Sequence, residues 1–249
     1  MPFDLTPIDI VALGWFLGVW LTYNLVLDHL LPHRIALNQH MRAIRGIWMR
    51  RMLERENRIV DSALLGHVIH SVSFFASATL LVLAGLLGVF GALDQAYRVV
   101  AELTFAAATT KPLFELKLLL LFVIFVYAFF KFTWALRQFN YSCALVGAAP
   151  AAPVDEARQN AIATHTGDVL TLAIGSFNGG LRAYYFALAA LTWFIQPWLF
   201  MAVTAWMLLV LLRRQFYSRT LRSVRQQSQA VGKDGAALAE EVRIEPRTG

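Results

Sequence analysis

His29 and His33 stand one helical turn apart, and so do His67 and His70. Either spacing places two imidazoles on one face of a helix, an arrangement able to chelate a single metal ion. A haem held by two histidines would instead take one ligand from each pair, on facing helices. Asn24, Asp28, Lys131, Asn178 and Arg182 make a second group, polar and ionisable residues set in long apolar stretches. A charge at the centre of a bilayer costs about 2.5–3.5 kcal/mol on insertion scales, so such residues face one another or a hydrated cavity and mark candidate sites. Asp28 is the acid placed to compensate Lys131 or Arg182. Lys131 and Arg137 could instead extend their long stems to the headgroups, whereas Arg182 lies too deep for that.

The histidines are the weaker candidates. Six histidines in 249 residues is ordinary abundance, and all but His67 and His70 fall at or outside the ends of the apolar stretches. They read as structural; no metal site is favoured and no cofactor is expected. The chain has no phosphate-binding glycine loop, no H-E-x-x-H, no G-x-S-x-G and no paired-cysteine motif. No catalytic residue is therefore assigned, and an enzyme is the less favoured class. The single cysteine, Cys143, excludes an internal disulfide and a cysteine metal cluster within one chain.

The elements that must hold these residues are membrane spans. Residues are 58% hydrophobic and only 15% charged, against about 25% charged in a soluble domain. The longest apolar run, Ala183–Leu212, is broken at Gln196-Pro197 and closed by Arg213-Arg214. As one helix it would measure roughly 45 Å, well over a hydrocarbon core of about 30 Å. Proline removes a backbone donor, so the natural reading is two spans turning at Pro197. Apolar runs then place five spans at about 8–31, 64–93, 113–139, 169–195 and 198–212 of an all-α helical bundle. The start carries two acids and no Lys or Arg before the first span, unlike a cleavable signal peptide, so that span is expected to be retained.

Charge distribution sets the expected topology. Seven arginines, Arg34, Arg42, Arg45, Arg50, Arg51, Arg55 and Arg58, lie between spans one and two, and eight basic residues follow span five from Arg213 onward. The connection between spans two and three holds only Arg98 and Lys111. Basic loops stay cytoplasmic, so the amino end is expected outside and the carboxyl end in the cytoplasm, which requires an odd number of spans. The basic excess is thus topological and no nucleic-acid partner is implied.

Between about 35 and 60, Leu37, Met41, Ile44, Trp48, Met52 and Ile59 recur at helical spacing among arginines. This predicts an amphipathic helix at the cytoplasmic interface, a positive-inside anchor or a surface for anionic lipid or a membrane protein partner. Residues 1–229 read as one transmembrane domain and 230–249 as a tail without structure. Gly14 and Gly18, and Gly85, Gly88 and Gly91, predict close helix packing within the monomer.

Several phrases resemble a bacterial membrane family known as domain of unknown function 599. They are the stretch Trp48 to Asp61, Phe74-Phe-Ala-Ser77, Glu115-Leu-Lys117, Val123 to Phe132, Phe139-Asn-Tyr141, Phe177 to Leu188 and the Pro197-Trp198 turn. The resemblance runs from the first span to about Tyr217. It implies a multi-pass membrane protein, with Asn178, Gly180 and Arg182 matching a family phrase Phe-Asn-x-Gly-x-Arg-Ala, and it brings no activity and no motif containing His67 or His70. Two functional classes follow. The first is a non-enzymatic accessory, assembly or scaffold component of the inner membrane. The second is a small transporter or channel with an inward-facing polar site around Asp28, Lys131 and Arg182, for which neither inverted repeats nor broken helices are visible. A membrane redox protein using the histidines ranks third.

Overall fold

A computed structural model describes residues 6–25, 37–102, 107, 109–151, 155–216 and 219–244. Among them all regular structure is helical: α1 (Pro7–Leu25), α2 (Leu37–Glu54), α3 (Ile59–Gly91), α4 (Leu93–Ala101), α5 (Lys111–Gly147), α6 (Glu156–Leu191), a 3-10 turn (Thr192–Phe194), α7 (Pro197–Phe216) and α8 (Arg219–Ile244). Local chemistry sets several of the starts. Pro7 suits the first position of α1, where its missing N–H would be unbonded in any case, and the Asp9 amide points back to the Thr6 hydroxyl at 3.4 Å. The Asn57 side chain accepts from the Ile59 amide at 2.9 Å and so caps α3.

Four helical stretches, Pro7–Leu25, Ile59–Gly91, Lys111–Gly147 and Pro197–Val231, are long and apolar enough to cross a membrane. They overlap the expected spans 113–139 and 198–212, the span 64–93 as far as Gly91 and the first span as far as Leu25; residues 26–31 lie outside the described residues. Large apolar side chains such as Phe74 (64% exposed) and Leu81 (75% exposed) face outward, which hydrocarbon tolerates and water does not. The expected fourth span falls on α6 and the 3-10 turn. With 36 residues α6 is long enough, but Ser176, Asn178 and Arg182 keep it too polar to qualify by composition. Its buried positions explain how it can be so: Ala173, Ala183, Ala187, Ala189 and Ala190 are closed over by neighbouring protein, and a helix shielded by protein need not be apolar all round. The chain does break before Pro197, so the long apolar run is two helices rather than one.

Where one transmembrane domain is expected, the chain falls into two compact units. The first takes in α1, α3 from His67, α4, α5 to Arg137, α6 from Ala173 and α7 to Leu211. Its core is aromatic. Phe16 meets Phe200 at 5.0 Å and Phe186 at 5.8 Å between ring centroids, and Trp193 stacks on Phe200 at 5.2 Å. A second group joins Phe75, Phe132, Phe177 and Tyr184. On α5 the buried residues Leu121, Ile124, Ala128, Phe132 and Ala135 follow helical spacing and form one inward stripe.

The second unit takes in α2, α3 to Gly66, α5 from Gln138, α6 to Leu172, the end of α7 and α8. The amphipathic helix expected over 35–60 is α2, and it stops at Glu54. Its apolar side buries Met49 and Met52, and α8 packs against it. The tail expected to lack structure from 230 is helical as far as Ile244. Ala236, Ala237, Leu238, Ala239, Glu240 and Glu241 are strong helix formers, and Ile244 stands just ahead of Pro246, where a helix must stop.

The glycines expected to seat helices against one another do not. A Cβ placed on Gly14, Gly18, Gly85, Gly88 or Gly91 would meet nothing within 4 Å. Close approach falls elsewhere: Gly46 on Gly167 in the second unit, and Gly180 on Phe132 in the first. G-x-x-x-G spacing permits close packing but does not select a partner.

Candidate functional site

Polar side chains of the first unit gather at two levels. The first lies where α1 and α5 begin and α6 ends. Asp9, in the first turn of α1, is buried; one carboxylate oxygen accepts the Trp193 indole N–H at 2.8 Å and the other accepts the Thr6 hydroxyl. Lys117 is buried as well, with its Nζ 5.5 Å over the Trp193 ring and donating to Thr109 Oγ1 at 3.2 Å. Thr109 is itself held, because its carbonyl accepts the Tyr97 hydroxyl at 2.8 Å. One indole thus meets a carboxylate at its N–H edge and an ammonium over its face. Burying an ion costs several kcal/mol unless it is compensated, and here hydrogen bonds and the π face share that compensation.

The second level contains most of the polar residues singled out from the sequence. Lys131 lies 5.5 Å over the Tyr127 ring, and Tyr127 meets Trp20 edge-on at 5.6 Å. The Asn24 amide donates to the Trp20 carbonyl at 3.0 Å. Lys131 and Arg182 both lie against Gly179: a Cβ there would stand 3.4 Å from the Lys131 stem and 3.7 Å from Arg182 Nη2. A Cβ at 179 would thus make ordinary van der Waals contact with both. Asn178, next to Gly179, is half-buried. Among the described residues, the buried Trp20 Nε1 and Asn24 Oδ1 have no hydrogen-bond partner. Lys131 and Arg182 bring two cations together at Gly179, an arrangement that can hold an anionic group. Asp28, the acid expected to balance them, lies outside the described residues, as do His29 and His33.

His67 and His70 are exposed on α3 and look outward from the first unit; the His67 carbonyl accepts the Ser71 hydroxyl at 3.2 Å. Among the described residues no three His, Cys, Asp or Glu side chains are grouped so as to hold a metal ion.

The second unit ties its arginines inward. Arg42 pairs with Asp168 at 2.8 Å, Arg50 with Glu54 and Glu156, and Arg55 with Asp61 at 2.6 Å. Arg58 donates to the carbonyls of Ala149 and Pro150 at 2.9 and 2.6 Å. Arg45 is buried and donates to Thr171 Oγ1 at 2.9 Å; burial, with Arg42 nearby adding to it, lowers its pKa to about 10. Asp61 is fully buried, and one of its oxygens accepts both Arg55 and the Trp48 indole N–H. The α2 arginines are therefore largely engaged as internal braces.

Asp9, Trp193, Trp48 and Asp61 are the residues that sequence reasoning passed over. Asp9 did leave a trace, since Thr6-Pro-Ile-Asp9 has the spacing of a capping box. That motif explains an acid at a helix start but not its second bond to an indole from a distant helix.

The family model described as Protein of unknown function, DUF599, matches residues 11–220 of the chain. No curated protein matches the chain, and no solved structure does.

Proposed function

The chain belongs to this family of unknown function, and we propose that it is a non-enzymatic accessory, assembly or scaffold component of the bacterial inner membrane. In this reading it crosses the bilayer five times, with its amino end outside and its carboxyl end in the cytoplasm. The basic residues concentrated between α1 and α3 and after α7 support that orientation. The observation that carries the functional reading is the aromatic filling between the two polar levels. Phe16, Trp20, Phe186, Trp193 and Phe200 are all buried and in ring contact with one another. Each polar level ends on packed rings, as in a core that joins helices rather than one that admits water. The test is reconstitution into vesicles with solute flux measured alongside stoichiometric cross-linking in native membranes. The expected result is no flux above protein-free vesicles and a fixed cross-linked partner. Saturable flux abolished by Lys131→Met would overturn the reading.

One observation favours a second reading, a small transporter with an inward-facing polar site around Asp28, Lys131 and Arg182. It is the meeting of Lys131 and Arg182 at Gly179, with the buried Trp20 Nε1 and Asn24 Oδ1 lacking a hydrogen-bond partner among the described residues. If Asp28 and Arg182 form a buried pair that closes this level, Asp28→Asn and Arg182→Gln should each lower the amount of folded protein, and the double variant should recover part of the loss. Simple addition of the two losses would instead favour a hydrated site and transport.

A further inference from the structure

The arginines of the second unit differ in how they are held, and Arg51 and Arg158 are exposed single residues on α2 and α6. Arg42, Arg45, Arg50, Arg55 and Arg58 are bonded within the unit. Arg213, Arg219, Arg222 and Arg225 are exposed and have no ion-pair partner among the described residues. We propose that these four form a binding surface for the anionic headgroups of the membrane's own lipids.

Position supports this. α7 has 20 residues, about 30 Å and so close to one hydrocarbon thickness. Arg213 in its last turn therefore reaches headgroup depth. Arg219, Arg222 and Arg225 stand at three-residue intervals in the first two turns of α8. The half-buried Leu221, Val224, Ser228 and Val231 lie on a different side of α8, which packs against α2. The arginines are left at the solvent-facing edge, each permanently charged and able to hold a phosphate oxygen pair. Charge complementarity selects phospholipid as the occupant, since a cationic cluster directly following a span lies within a Debye length of a negatively charged leaflet. The assignment goes beyond the role proposed above and holds whichever leaflet the surface meets. It also places lipid recognition at the end of α7 and the start of α8, whereas the sequence suggested α2.

The full-length protein would be reconstituted in phosphatidylcholine vesicles carrying a trace of photoactivatable phosphatidylglycerol or photoactivatable phosphatidylcholine. The labelled peptides would then be mapped. Phosphatidylglycerol should label the region of Arg213 to Val231 about tenfold more than phosphatidylcholine, and raised salt should reduce the difference. R219Q/R222Q/R225Q should abolish the preference, whereas R42Q/R50Q should keep it. Equal labelling by the two lipids, or a preference that survives R219Q/R222Q/R225Q, would overturn the proposal. Because these arginines are exposed, the triple variant should fold, and its unchanged melting temperature in detergent serves as the check. Should it melt early, the lipid comparison on the unaltered protein still decides.

Discussion

The Trp193 indole donates to the Asp9 carboxylate across 184 residues of chain, and both residues are buried. The bond ties the start of α1 to the end of α6, with the Lys117 ammonium on the open face of the same indole. Trp193→Phe keeps an aromatic side chain but removes the donor to a buried anion, and losing that bond should cost about 1–3 kcal/mol. The loss can be read as a lower unfolding midpoint in detergent. An unchanged midpoint would mean that the carboxylate is satisfied elsewhere.

Asp9 and Lys117 should be energetically coupled. Asp9→Asn and Lys117→Met each leave one buried charge uncompensated, so the double variant should lose clearly less than the two losses added together. Strict additivity in this double-mutant cycle would show that the two charges are balanced independently.

Gly180→Ala should be among the most damaging methyl additions in the first unit. The new Cβ would stand 2.4 Å from the Phe132 ring, which is fully buried against Phe75, Phe177 and Tyr184 and has no room to turn away. A cost of about 1–3 kcal/mol is expected. Gly175→Ala, where nothing lies within 4 Å, should instead be neutral or stabilise by up to about 1 kcal/mol. Similar midpoints for the two variants would contradict the packing described.

Two arginines of the second unit should differ sharply. Arg55→Met leaves the fully buried Asp61 carboxylate with the Trp48 indole as its remaining bonded partner among the described residues. A loss of about 1–3 kcal/mol is expected. Arg42→Met breaks a pair whose side chains are 55% and 38% exposed, and should cost no more than about 1 kcal/mol. Equal losses would show that burial of the acid does not set the cost.

Acid should weaken the junction of α4 and α5. A hydrogen bond from Lys111 and its positive charge, with Arg98 adding to them, hold the Asp94 carboxyl below its ordinary range. A carboxyl with a depressed folded-state pKa contributes stability that is present above the unfolded value of about 3.9 and lost as pH falls through the folded value. The midpoint difference between the unaltered protein and Asp94→Asn should therefore be small but steady near neutral pH and disappear in strong acid. A difference that persists there would assign Asp94 another role.

By itself the sequence determined the helical class, the presence of several helices apolar and long enough to cross a membrane, and the break before Pro197. These follow from local rules: continuous hydropathy, helical periodicity, proline's missing donor and the rarity of charge among apolar residues. The glycine contacts were not legible, because close approach depends on which residue of another helix faces each glycine. For the same reason α6 looked like an ordinary span, when its alanines are closed over by neighbouring protein. Tertiary structure alone decided that Asp9 finds Trp193, that Asp61 finds both Arg55 and Trp48, and that Arg42, Arg45 and Arg50 of α2 find partners on α6. The physical reason is that a charge is valued by its partners, and those partners lie up to 184 residues away along the chain, beyond the reach of any spacing rule.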